Sequence, residues 1–226
     1  MEFRVLGSIE ARDGGRALPL GGPQQRRLLA VLLADAGKVV SVDRLVEAVW
    51  SGDPAPEGAA RTTRTYVSRL RTALGDGFVV TREPGYLIDV TGAEFDRDSF
   101  DELVVQARRL EPAASVERYD EALGRWQGQA FAEFAEEWWA RPEATRLEEL
   151  RLVAAEERID ALLALDRHVE AVPDLDGLAA AHPYRERFTA QLMVAFQRSG
   201  REAEAHRAYE QLRTRLADDT GLEPSS

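Results

Sequence analysis

The sequence changes its pattern near residue 90, and that change constrains the fold more than any compositional total. Up to that point short apolar runs alternate with Gly, Pro and Asp. "FRVLG", "IEARDGG" and "RALPL" have the alternation and flanking turn residues of small strands. "PQQRRLLAVLLADAG" predicts a helix that Pro23 opens and Gly37 follows, with Leu28, Val31 and Leu32 among its apolar positions. "SVDRLVEAVW" predicts a second helix, capped by Ser41, with Leu45, Val46, Val49 and Trp50 on one face. "SGDPAPEG" interrupts as a loop, and "GAARTTRTYVSRLRTALGD" supplies a third helix. "GFVVTREPGYLIDV" then reads as two strands about the Pro84-Gly85 turn signal. Strands, three helices and a closing hairpin make a winged helix-turn-helix with a small sheet before it.

The third helix carries the chemistry. At 3.6 residues per turn, Thr63, Val67, Leu70 and Leu74 form one stripe, which is the core-facing side. Arg61, Thr65, Ser68, Arg69 and Thr72 lie opposite, with Arg64, Arg71 and Thr62 on the flanks, and all eight are candidate DNA-binding residues. A guanidinium can bond guanine O6 and N7 together or clamp a phosphate, and short hydroxyl residues add contacts without holding the helix away from the bases. Such a face on an arbitrary amphipathic helix is ordinary solvation. Its place as third helix before a hairpin bearing Arg82 turns the expectation towards DNA. Arg71 has Asp76 and Glu83 as alternative partners.

Charge agrees with this division. The net charge of the chain is -11, yet residues 1–90 hold 12 basic and 11 acidic side chains, so the acidic excess belongs to the remainder. An overall negative charge therefore does not exclude a local nucleic-acid surface. Lys38 is the only lysine, so arginine identity alone carries little weight.

From about residue 95 the sequence reads as helical nearly throughout. "DRHVEAVPDLDGL" and "GREAEAHRAYEQL" match at a spacing of 34, pairing Arg167 with Arg201, Glu170 with Glu204, Ala171 with Ala205, Leu175 with Tyr209 and Leu178 with Leu212. That period is the tetratricopeptide spacing, in which a small residue lets paired helices approach and a bulky one fills the groove between them. The expected organisation is an α+β chain: residues 1–92 a winged helix-turn-helix DNA-binding domain with its small sheet, residues 93–226 an all-α, tetratricopeptide-like domain.

Other chemistry finds little support. There is no cysteine, and His168, His182 and His206 have no zinc-type spacing, so no metal is expected. Carboxylates such as those of "RLEELRLVAAEER" alternate with bases as on exposed, salt-bridged helix faces. No nucleophile elbow or phosphate loop occurs, so neither an enzyme nor a cofactor is expected. Trp138 and Trp139 beside "AEE" are either core residues or an acidic-aromatic partner patch. No apolar run reaches membrane-helix length, and "MEFRVLGSIE" alternates as a strand does rather than as a signal peptide, which points to the cytoplasm.

"RTYVSRLRTALG" followed by "VVTREPGYLIDV" resembles the recognition helix and wing of OmpR/PhoB-type winged helices, in the version found in SARP regulators (Streptomyces antibiotic regulatory proteins). "LGRWQGQAF", "HPYRERFTAQLMVAFQRSGREAEAHRAYEQLR" and "DDTGLEP" are similar to the bacterial transcriptional activator domain (BTAD) of that family. The resemblance implies a cytoplasmic, nucleoid-associated activator that binds direct repeats in promoters of secondary-metabolite (antibiotic) gene clusters. It implies RNA polymerase holoenzyme, including its sigma factor, as a partner, and a homodimer or side-by-side protomers on double-stranded DNA. By the same resemblance, Arg61, Thr65, Ser68, Arg69 and Thr72 enter the major groove, and Thr81 and Arg82 in the wing touch backbone or minor groove. The loop holding Ser51, Asp53 and Glu57 faces polymerase, and the all-helical domain contacts polymerase and a neighbouring protomer. The chain stops at "LEPSS", where the activator domain of relatives closes, so its last helix is expected to be curtailed. Many relatives continue into an ATPase, but without GxxxxGK[ST] no ATP binding is expected in these residues. The competing reading is a tetratricopeptide-like interaction module of a larger signalling regulator, with only non-specific DNA contact.

Overall fold

The computed structural model describes residues 1–52 and 54–225. Its elements run β1 (Glu2–Arg4), β2 (Glu10–Asp13), β3 (Arg16–Ala17), α1 (Pro23–Ala34), β4 (Val40–Ser41), α2 (Val42–Val49), α3 (Ala59–Leu74), β5 (Val79–Arg82), β6 (Gly85–Ile88) and β7 (Glu94–Phe95). Six further helices follow: α4 (Asp96–Ala107), α5 (Pro112–Leu123), α6 (Arg141–Ala164), α7 (His168–Ala181), α8 (Glu186–Arg198) and α9 (Glu202–Thr220). This is a small sheet with a winged helix-turn-helix, followed by helices, as the sequence pattern predicts.

Packing divides the chain into two compact units, Met1–Glu102 with Gly124–Leu150, and Leu103–Leu123 with Arg151–Ser226. The division expected at residues 92 and 93 is a different partition, because β7 and part of α4 belong to the first unit. In that unit a four-stranded sheet has the order β3-β2-β1-β7, with β7 parallel to β1 through Glu2↔Glu94 and Phe3↔Phe95. A three-stranded antiparallel sheet, β4-β6-β5, forms the wing. Between Leu28 and Leu33 every residue of α1 is buried, which makes it the central helix against which α2 and α3 pack. Ser41 caps α2 as expected, its hydroxyl accepting from the Arg44 amide at 3.2 Å.

Residues 124–140 correct the expectation of nearly continuous helix: they run as turns and bends. Phe131 is buried at φ 54, a left-handed conformation that stops a helix and strains a bulky residue. The segment bonds to the backbone after β1 instead, with Gln127 N on Leu6 O at 2.8 Å, Phe131 N on Val5 O at 2.7 Å and Ala132 N on Gly7 O at 3.0 Å. Glu133 pairs with Arg26, and Glu137 holds Arg27 at 2.8 Å. Asp96, at the start of α4, accepts from the amides of Val5 at 2.9 Å and Leu6 at 3.0 Å. Burial pushes its carboxyl up to about 6, against the downward pull of the Leu6, Val5 and Arg97 amides.

The second unit is built on a core that includes Ile159, Leu162, Ala171, Leu175, Phe188, Leu192, Ala195 and Ala205. Helix α7 packs on α8, and α8 on α9. The repeat pairs occupy equivalent places. His168 and Glu202 begin their helices 34 positions apart. Ala171 and Ala205 are both buried, and Arg167–Glu170 and Arg201–Glu204 form the same ion pair three residues apart. These guanidinium groups hold both carboxyls below the usual carboxylate range.

Candidate nucleic-acid interface

Helix α3 exists because its stripe is apolar. Thr63, Val67, Leu70 and Leu74 are buried, and the Thr63 hydroxyl is satisfied by Ala59 O at 3.0 Å. Gly58 at φ 78 and Gly75 at φ 87 bracket the helix in conformations that favour glycine. Opposite the stripe, Arg61, Arg64, Thr65, Ser68, Arg69 and Thr72 are exposed, and Thr62 and Arg71 are half-buried. The helix contains no Asp or Glu.

The arginines on this face divide into two kinds. Among the described residues, the side chains of Arg61, Arg64, Arg69 and the wing's Arg82 have no ion pair or hydrogen bond. Arg71 folds back: its Nε donates to Val79 O at 2.8 Å, its Nη2 donates to Thr81 Oγ1 at 2.8 Å, and its guanidinium carbon lies 5.8 Å from the Tyr86 ring centre. The partners available in sequence, Asp76 and Glu83, are not the ones used.

The hydroxyls also have assigned roles. Thr65 donates to Arg61 O at 3.2 Å, Thr72 to Ser68 O at 3.1 Å, and Thr62 to Gly58 O at 3.5 Å. With its hydrogen committed to the helix, each threonine presents oxygen lone pairs and a methyl group outward. Those suit the amino donors of adenine and cytosine and the thymine methyl.

The wing is a hairpin in the register Val79↔Ile88, Val80↔Leu87, Thr81↔Tyr86 and Arg82↔Gly85. Gly85 opens β6 and also pairs with Ser41. A Cβ there would lie 1.9 Å from Val40 O, so only glycine lets β4 lie against the wing. Thr81 and Arg82 are exposed near the tip.

The loop between α2 and α3 contains Ser51, half-buried, and Glu57, exposed; Asp53 lies outside the described residues. Beside it Val46, Trp50, Ala55 and Trp138 help to line a groove of about 410 Å³. Trp50 stacks on Tyr66 of α3 at 6.3 Å between ring centres. The two tryptophans of the "AEEWW" run part ways: Trp139 is buried against Phe134, whereas Trp138 is exposed with Arg44 over its ring. Sequence reading missed Tyr86 and the Val79 carbonyl as partners of α3. Their only trace was the phase of Arg71, on the flank of the helix.

A winged helix-turn-helix with an acid-free, arginine-bearing third helix defines the class of DNA-binding regulators. Residues 95–226 match the family described as bacterial transcriptional activator domain, and residues 16–92 match transcriptional regulatory protein, C terminal. The chain is 40% identical to the regulatory protein AfsR of Streptomyces griseus, over 99% of its own length and 23% of the relative's. It is 32% identical to the regulatory protein DnrI of Streptomyces peucetius, over all of its own length and 88% of DnrI. A solved structure of Mycobacterium tuberculosis EmbR, in complex with a low affinity phosphopeptide, superposes with a TM-score of 0.91 at 30% identity, covering 99% of this chain and 62% of that one. The chain belongs to the SARP family of transcriptional activators, and it spans about a quarter of the AfsR relatives it matches.

Proposed function

We propose that this chain is a sequence-specific DNA-binding transcription activator. It binds direct repeats in a promoter and recruits RNA polymerase holoenzyme, a reading that rests on its membership of a family of transcriptional activators. A secondary-metabolite gene cluster is the proposed target, as the resemblance to Streptomyces antibiotic regulatory proteins implies. Two protomers lie side by side on the tandem sites. Arg61, Arg64, Arg69, Thr65, Ser68 and Thr72 face the major groove, and Thr81 and Arg82 approach the backbone or minor groove from the wing. The loop of Ser51 and Glu57, with the Trp50–Trp138 groove beside it, faces polymerase and its sigma factor.

The observation that carries this reading is a set of four guanidinium groups on one helix and its wing that have no ion pair or hydrogen bond among the described residues. An unpaired guanidinium is charged at every physiological pH, and phosphates or guanine edges satisfy its fork of donors. The test is selection from a pool of random duplexes at two salt concentrations, with the retained fraction sequenced. Enrichment of a motif repeated at one-turn spacing, with retention that weakens steeply with salt, is the expected result. Retention without enrichment limits the chain to backbone contact, and absence of retention removes DNA binding altogether.

A further inference from the structure

We propose that Arg71 is a positioning residue for the wing and not itself a DNA contact, an assignment that rests on the DNA-binding reading above. Three observations meet on this side chain. Its Nε and Nη2 both donate to β5, at 2.8 Å to the Val79 carbonyl and at 2.8 Å to the Thr81 hydroxyl. Its guanidinium lies beside Tyr86, the cross-strand partner of Thr81 on β6. It is also the one arginine of α3 whose side chain is engaged within the chain, since Arg61, Arg64 and Arg69 have no ion pair or hydrogen bond among the described residues.

The planar fork explains the choice of arginine. Two donors fixed in one plane grip two acceptors of one strand simultaneously, which sets both the distance and the rotation of the hairpin relative to α3. Thr81 is gripped directly, and Arg82, the next residue, has no ion pair or hydrogen bond among the described residues. Arg71 thus fixes where Arg82 meets DNA once α3 is docked, and so sets the spacing between the two contact regions. A lysine retains the charge without this planar fork.

The test uses the full chain, the duplex enriched by the selection above and hydroxyl-radical footprinting. Arg71→Ala and Arg71→Lys are both expected to bind on the order of tenfold more weakly. Both lose the part of the footprint that Arg82→Ala also loses, and keep the part that depends on Arg69. The double variant Arg71→Ala/Arg82→Ala is expected to bind within about twofold of Arg82→Ala, because the two act through one contact. In the free protein, amide exchange of residues 79–82 speeds up in Arg71→Lys while that of α3 does not.

Wild-type affinity in Arg71→Lys overturns the assignment, since charge alone then suffices. Losses for Arg71 and Arg82 that multiply overturn it as well, because they make Arg71 a separate contact. Should Arg71→Ala fail to fold, the Arg71→Lys footprint and exchange decide alone. If the wild type retains no duplex, the DNA reading itself fails and this assignment falls with it. That outcome is recognisable because no variant is needed to see it.

Discussion

Arginine is used in opposite ways in two regions of this molecule. In the second unit most guanidinium groups face carboxylates, with Arg109, Arg207 and Arg215 the exceptions among the described residues: Arg158 lies between Asp120 at 2.5 Å and Asp174 at 2.8 Å, and Arg108 holds Glu157 at 2.9 Å. Arg187 reaches Asp160 at 2.5 Å, and Arg167, Arg201 and Arg213 each hold a glutamate three residues away. On α3 and the wing, the side chains of Arg61, Arg64, Arg69 and Arg82 have no ion pair or hydrogen bond among the described residues. A paired arginine is neutralised locally and leaves little field for a polyanion, while an unpaired one retains its whole charge. The net charge of -11 thus conceals two differently neutralised surfaces, and the face of α3 and the wing is the one proposed for DNA.

The comparison can be broken most severely from beneath. Leu70→Ala on the buried stripe of α3 should destabilise the chain by about 2–5 kcal/mol, seen in chemical unfolding, and DNA binding should fall with it. A variant that lost DNA binding at unchanged stability would place Leu70 on the contact face instead. Next is Asp96. Its folded pKa, about 6, stands above the ordinary 3.8, so its contribution is fully present below about pH 4 and is lost as pH rises through 6. That change amounts to at most about 3 kcal/mol. Asp96→Asn should flatten the stability profile across that window, as read by unfolding midpoints at each pH.

Gly85→Ala forces β4 and β6 apart and should cost about 1–3 kcal/mol of stability, together with the wing's part of any DNA footprint. Arg69→Ala should cost about 1–3 kcal/mol on the cognate duplex by fluorescence titration and leave the unfolding midpoint in place. Equal affinity of wild type and variant would remove Arg69 from the reading face. At the small end, Arg213→Ala, which breaks an exposed pair with Glu210, should change neither duplex affinity nor the thermal midpoint.

The sequence made part of this arrangement legible. The stripe Thr63, Val67, Leu70 and Leu74 was readable because burial imposes a helical period, and the exposed face followed from it. Ser41 and the 34-residue repeat were readable because capping and helix pairing are local or periodic constraints. The strand Glu94–Phe95 was not, since two residues carry no period and its parallel pairing with Glu2 and Phe3 is set by tertiary packing. The segment 124–140 was read as helix because its turns are held by backbone bonds to Val5, Leu6 and Gly7, partners far away in the sequence that no local pattern reveals. Helical phase put Arg71 on a flank, yet phase cannot say that a long side chain folds back on a hairpin.

A single pair of variants compares the two surfaces. Arg61, Arg64 and Arg69 are changed together to Ala in one protein, and Arg167, Arg201 and Arg213 in another. The affinity of each for the enriched duplex is measured at one fixed salt concentration. Loss of binding by more than about 100-fold in the first, with wild-type affinity in the second, is the expected result. Equal losses in the two would contradict it, because DNA affinity would then follow the number of arginines and not the face that leaves them unpaired.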